Sequence, residues 1–302
     1  MVVSRVTAGL ILLCLTVPGL ICSLLVIKII IWSRRLRKIT AYRVILQLSV
    51  AECILLLGHV ISATMPLANQ TYGYWVNKII AAVLQSSYIC VLLLNVVLAF
   101  NRLYTNTSMG PNVSNVTYRM LTLVTYVITA IELICYLTPL CSMEFSLDTF
   151  NWLYDERNET ALMLYIVEQE KVIALGAILF ELACYICIVG VITRRRSAVV
   201  TSISSPYNPE YRILVTSLVA FFYQTVMIVP FHFGNLLFPD ARWLDLLNAA
   251  TWAFFPALQQ ISIIALNSEF RKRLRRMIYA RKELTSSAHI SAVLRRRNTQ
   301  NS

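Results

Sequence analysis

Apolar residues in this chain gather into seven long stretches, and polar residues are largely confined to the connections between them. The stretches run Thr7–Trp32, Ala41–Leu67, Ile79–Tyr104, Leu121–Leu140, Val172–Thr193, Ile213–Leu237 and Trp243–Leu266. Each reaches the roughly 20 residues that a helix needs to cross about 30 Å of hydrocarbon. Inside lipid an unpaired backbone N–H or C=O finds no water, so such segments must be helical. The pattern predicts an all-α membrane protein, a seven-transmembrane helix bundle. After the last stretch, Phe270, Leu274, Met277 and Ile278 recur at i, i+4, i+7 and i+8 with basic residues between them. That spacing predicts a short helix lying in the membrane interface, its cations against anionic headgroups. Residues 1–282 form the seven-transmembrane domain, and 283–302 form a polar tail expected to be disordered.

Composition agrees. Of 302 residues 58% are hydrophobic and 14% charged, against about 25% charged in soluble domains. A net charge of +12 could suit nucleic acid, but the basic residues lie in loops beside helix ends. They set topology instead. Counted over alternate loops, 21 Lys and Arg residues fall on the side that carries Arg34, Arg194 and the tail, and 5 on the side that carries Arg5 and Arg242. Retained positive charge marks the cytoplasm, so the N-terminus is expected outside and the tail inside, in the plasma membrane. The first stretch follows Arg5, as a signal peptide would, yet it runs on to Trp32, beyond the 7–15-residue core of such a signal. It is read as a retained helix. Glycosylation sequons at Asn69 and Asn158 fall in outer loops; three more, at Asn106, Asn112 and Asn115, fall in a predicted inner loop, and the charge balance outranks them.

Seven of the 8 cysteines lie within apolar stretches, and Cys141 sits at an outer helix end with no visible loop partner. No metal-ligand spacing, nucleotide loop or His/Cys/Asp constellation is present, so neither an enzyme, a metal site nor a cofactor is expected.

Short motifs narrow the class. Ser23-Leu24-Leu25-Val26-Ile27 in the first stretch resembles the Gly-Asn-x-x-Val-Ile segment of rhodopsin-like G-protein-coupled receptors, with Ser23 where that family carries Asn. Leu48-Ser49-Val50-Ala51-Glu52 is similar to Leu-x-x-Ala-Asp, and Asn101-Arg102-Leu103-Tyr104 stands where the family has Asp-Arg-Tyr. Trp75 lies in the first outer loop, where the family often has Trp. Leu266-Asn267-Ser268-Glu269-Phe270-Arg271 resembles the Leu-Asn-x-x-Phe-Arg ending of nematode serpentine chemoreceptors, which also tolerate Asn-Arg. The chain departs from the family at Gln259-Gln260-Ile261-Ser262-Ile263, where Asn-Pro-x-x-Tyr loses its Pro and Tyr. The usual Cys at the outer start of the third helix falls near Asn77, and the fourth helix has no Trp.

The resemblance implies a chemosensory receptor that binds a small organic ligand outside and activates a heterotrimeric G protein inside. Ionisable side chains at bilayer depth cost about 2.5–3.5 kcal/mol, so Glu52 needs an explanation. The reading is a switch cluster of Glu52 with Ser23, Asn95, Gln259 and Gln260, set against the bland alternative of a protonated carboxyl hydrogen-bonded in the bundle. Arg102, with Asn101 and Tyr104, is assigned to G-protein coupling; the alternative is a snorkelling anchor. Pro230 removes a helical hydrogen bond and kinks the sixth helix, by resemblance as a hinge with Phe221, Phe222, Tyr223 and Gln224 packing the pivot; the alternative is a static kink. The ligand pocket is expected between the third, fifth, sixth and seventh helices, drawing on Gln85, Ser86, Tyr88, His59, His232 and Asn235. Leu84 falls where aminergic receptors carry Asp, which disfavours a biogenic amine. Glu132 and Glu181 are read as interhelical hydrogen-bonding groups. The segment Cys141–Glu170, with Glu168 and Glu170 among its carboxylates, is read as an acidic outer loop. Two rival readings stay open: a membrane transporter, though matched Gly/Pro-broken repeats are not evident, and a divergent seven-helix receptor without G-protein signalling.

Overall fold

The computed structural model describes the backbone of residues 4–107, 115–155, 159–198, 209–237 and 242–277, with Tyr279. Among these, side chains at 106–107, 115, 195–198, 209–214, 232–237 and 242–243 are not described. The elements in order are α1 (Arg5–Trp32), α2 (Arg34–Arg37), α3 (Thr40–Ala68), α4 (Tyr74–Thr107), α5 (Asn115–Leu137), β1 (Met143–Phe145), β2 (Trp152–Tyr154), α6 (Ala161–Ala198), α7 (Pro209–Leu237) and α8 (Arg242–Leu266). A last helix, α9, spans 268–277.

Local chemistry sets the helix ends. Ser4 caps α1 by accepting from the Thr7 N–H at 3.1 Å, and Ser33 caps α2 by accepting from the Leu36 N–H at 3.3 Å. Asn69 closes α3 in the left-handed region at φ 53°, a conformation that Asn tolerates. The seven long helices match the seven apolar stretches but extend past them. An apolar run marks the part of a helix in hydrocarbon, whereas α4 begins at Tyr74 and α6 at Ala161, where the helices stand above it.

This shift corrects the outer loop. Its second half, including Glu168, Gln169 and Glu170, belongs to α6. Residues 143–154 form an antiparallel hairpin in which Met143 pairs with Tyr154 and Phe145 with Trp152.

Helix α4 is the buried axis of the bundle, packed against α3, α5, α6 and β1, while α1 lies between α3 and α8. Small residues allow the closest approach. A Cβ on Gly19 would lie 2.3 Å from the Ala257 Cβ, so α1 and α8 nearly touch through their backbones. Large apolar side chains point outward instead, including Leu10, Ile21 and Leu24 on α1, Ile131 and Ile134 on α5, and Leu179 on α6. Such a coat is stable only against lipid. The chain is an integral, multi-pass membrane protein.

The two ends of the bundle differ. Arg5 donates to Asn69 at 2.6 Å and to Asp148 at 2.9 Å, so the start of α1, the α3–α4 connection and the hairpin share one face. Helices α2 and α9 lie at the other, where Asn267 donates to the Tyr42 hydroxyl at 3.3 Å. The tail 283–302 lies outside the described residues.

Candidate functional site

The hairpin covers the outer end. Trp152 Nε1 donates to the Ser62 hydroxyl on α3 at 3.0 Å, and Asn151 donates to the Asp245 carbonyl on α8 at 2.8 Å. Beneath it lies a void of about 10 Å³ lined by His59, Ser62, Phe150, Trp152, Trp252 and neighbours. That is far below the several hundred Å³ of a ligand pocket. This outer void sits between α1, α3, α8 and the hairpin, displaced from the expected third–fifth–sixth–seventh helix location. Trp252 organises it: His59 meets its ring edge-on at 4.9 Å and Tyr88 at 6.2 Å.

The six expected ligand residues therefore separate. His59 and Tyr88 converge on Trp252. Ser86 turns back to the Ala82 carbonyl at 2.7 Å. Gln85 donates to Glu170 at 2.6 Å. The side chains of His232 and Asn235 lie outside the described residues.

Glu170 is the site residue that sequence reasoning missed. Buried in α6, it accepts from Gln85 on α4, from the Tyr136 hydroxyl on α5, and from the Tyr154 hydroxyl on β2 at 2.6 Å. Four elements meet on one carboxyl group. Nearby, Lys78 donates to Ser142 at 2.8 Å and to the Cys141 carbonyl at 3.3 Å, fastening the hairpin's base. Burial, reinforced by the Glu170 carboxylate, holds the Tyr154 phenol well above its ordinary value. Burial, then Glu170, pushes the Cys141 thiol up to about 12.

Deeper in, the expected single cluster is two. Gln260 donates to Glu52 and, at 3.0 Å, to Ser49, while Ser23 donates to the Ser49 backbone carbonyl at 2.8 Å. This node ties α1, α3 and α8. One oxygen of Glu52, Oε1, is buried and makes no hydrogen bond. The second node starts at Gln259, which donates to Asn95 at 2.7 Å. Asn95 donates to Gln224 at 3.3 Å, and Gln224 to Glu181 at 3.3 Å. Four side chains thus connect α8, α4, α7 and α6 in one hydrogen-bonded chain, in which Asn95 also donates back to Gln259 at 3.4 Å. Gln224, expected only to pack a pivot, is its central link. A void of about 20 Å³ flanks the chain, lined by Asn95, Glu181, Tyr185, Ser217, Gln259 and Asn267 among others, enough for a water-sized occupant. Glu132 stands apart, accepting from Gln169 at 2.5 Å.

At the inner end Asn101 and Arg102 are both buried, with Arg102 only 4% exposed. That rules out a guanidinium reaching headgroups. Tyr104 is half-buried. Pro230 lies within α7, and two turns inward Tyr223 donates to the Thr251 carbonyl at 3.0 Å and stacks on Phe255 with an interplanar angle of 3°. Of the two sequons, Asn69 is exposed on the hairpin face, and Asn158 lies outside the described residues.

No protein-family model matches the sequence, and no curated protein matches it. Among solved structures, the crystal structure of squid rhodopsin superposes with a TM-score of 0.72 at 13% identity, covering 91% of this chain and 85% of that one. At that identity the likeness speaks for architecture alone: the chain has the seven-helix fold seen in rhodopsin.

Proposed function

We propose that this protein is a chemosensory G-protein-coupled receptor, with its N-terminus outside and its basic tail in the cytoplasm of a plasma membrane. The outer end is closed in this state, and a small organic ligand reaches His59, Tyr88 and Trp252 only when the hairpin lifts and enlarges the void of about 10 Å³. The observation that carries the reading is the hydrogen-bonded chain Gln259–Asn95–Gln224–Glu181. It crosses four helices between the outer void and Arg102, so a shift of α7 about Pro230 must break or re-form it. Buried polar chains of this kind hold discrete arrangements, because a half-made set leaves unsatisfied groups in low dielectric. Arg102 and Tyr104 then contact a heterotrimeric G protein. The similarity of Asn101-Arg102 and of Leu266–Arg271 to nematode serpentine chemoreceptors supports this assignment, and glycans at Asn69 and Asn158 fit the orientation.

The test is a panel of volatile and water-soluble organic compounds applied to cells expressing the receptor, with a second-messenger readout. A concentration-dependent response that is abolished by Arg102→Ala at equal surface expression is expected. A response undiminished in that variant would remove Arg102 from coupling.

A further inference from the structure

Helices α3 and α5 both start at the inner end of the bundle, and both pack on α4 rather than on each other. Between them a cleft of about 260 Å³ opens sideways to the membrane. From α3 it takes Thr40, Arg43, Val44 and Gln47; from α5 it takes Tyr118, Arg119, Thr122, Leu123 and Tyr126. These positions recur at three- and four-residue intervals, so each set is one face of its helix. Arg43 and Arg119 each lie about one turn from the start of their helix, roughly 5 Å along the axis, and so at matching depth.

The cleft is graded. Its inner mouth holds two guanidinium groups with the Thr40 and Thr122 hydroxyls, and Arg43 donates to Thr40 at 3.0 Å. Its deeper wall is Gln47 of α3 with Leu123 and the Tyr126 ring of α5. Arg119 is exposed and makes no hydrogen bond or ion pair among the described residues. The Tyr118 ring is buried between the cleft and α4, with Asn101 beside its hydroxyl. Arg119 therefore stands at the inner membrane surface with its guanidinium open to an anion, directly beside an apolar cleft. A phosphate there pairs with both arginines, since guanidinium matches phosphate oxygens in a fork.

We infer that this cleft is a binding site for an anionic phospholipid of the inner leaflet: its phosphate sits between Arg43 and Arg119 and its acyl chain lies along Leu123 and Tyr126. Charge complementarity selects the headgroup, and the sideways opening selects a lipid over a soluble phosphate. The site rests on the membrane orientation proposed above, and on no property of the ligand or G protein.

The experiment is native mass spectrometry of the full-length receptor released from nanodiscs of phosphatidylcholine doped with phosphatidylserine or a phosphoinositide. Retention of the anionic lipid over phosphatidylcholine is expected, falling by about tenfold or more in Arg43→Gln/Arg119→Gln, as loss of two near-surface cations implies. Leu123→Trp, which fills the chain-binding wall and keeps both arginines, is expected to lower retention as well. Equal retention in wild type and the double variant would overturn the site. So would an equal drop on Arg295→Gln/Arg296→Gln in the tail, which would indicate general surface charge. Displacement by the soluble inositol phosphate headgroup at similar concentration would overturn a lipid occupant. The readout needs no signalling, so its failure is separable from failure of the receptor assignment.

Discussion

Gln259 and Gln260 are neighbours in sequence yet serve separate hydrogen-bond systems: Gln260 donates to Glu52 on α3, and Gln259 donates to Asn95 on α4. Successive helical residues point about 100° apart, so one step along α8 divides the polar interior in two.

Gln260→Ala strips Glu52 of its amide donor and leaves a buried carboxyl group less satisfied. Such a group costs about 1–3 kcal/mol. A fall in detergent-solubilised thermal stability is expected, recovered in part by adding Glu52→Leu. Equal melting temperatures for Gln260→Ala and wild type would show that the contact contributes nothing.

Gln224→Leu cuts the chain from Asn95 to Glu181 without altering the outer void. Ligand binding is expected to persist while agonist efficacy drops, and stability should fall by about 0.5–1.5 kcal/mol for each lost hydrogen bond. Binding isotherms measured beside second-messenger output separate the two effects.

Tyr154→Phe removes one donor from Glu170 and loosens the hairpin from α6. Faster hydrogen exchange in β1 and β2 is expected, with exchange in α8 unchanged. Trp152→Phe, which loses the bond to Ser62, should act in the same direction.

The Cys141 thiol, raised from an ordinary 9.0 to about 12 by burial and then by Glu170, makes a signed prediction. Its folded pKa exceeds the unfolded one, so the folded state holds the proton more tightly. The associated stability is complete below about pH 9 and is lost as pH rises toward 12. Iodoacetamide should label Cys141 slowly in the native protein at pH 9 and rapidly after unfolding in SDS; peptide mapping by mass spectrometry reads both.

The spans were legible because hydrocarbon demands long apolar helices whatever their neighbours. The hidden part lay where a helix leaves hydrocarbon. Glu168 and Glu170 read as solvated loop because their charge interrupts the apolar run, yet Glu170 falls in step with buried Ile166, Ala174 and Ile178 at four-residue spacing. That stripe was the available signal. Its partners Gln85 and Tyr136 are 85 and 34 residues away in sequence, a distance no local pattern spans. Glu52, Asn95, Gln259 and Gln260 stood out as polar groups in apolar runs, and each is buried and bonded. Their division into two nodes depended on helix rotation, which periodicity alone leaves open. Trp252 carried no signal, since an aromatic ring in a membrane helix is ordinary.

Gly19 and Ala257 leave no gap for a side chain between the first and last spanning helices. Those two helices therefore form a fixed post, and any swing of α7 about Pro230, as proposed above, would work against it rather than carry it along. A bulky residue at position 19 would wedge that post apart, so substitutions there should weaken the packing of the bundle even though the side chain they alter is a single hydrogen.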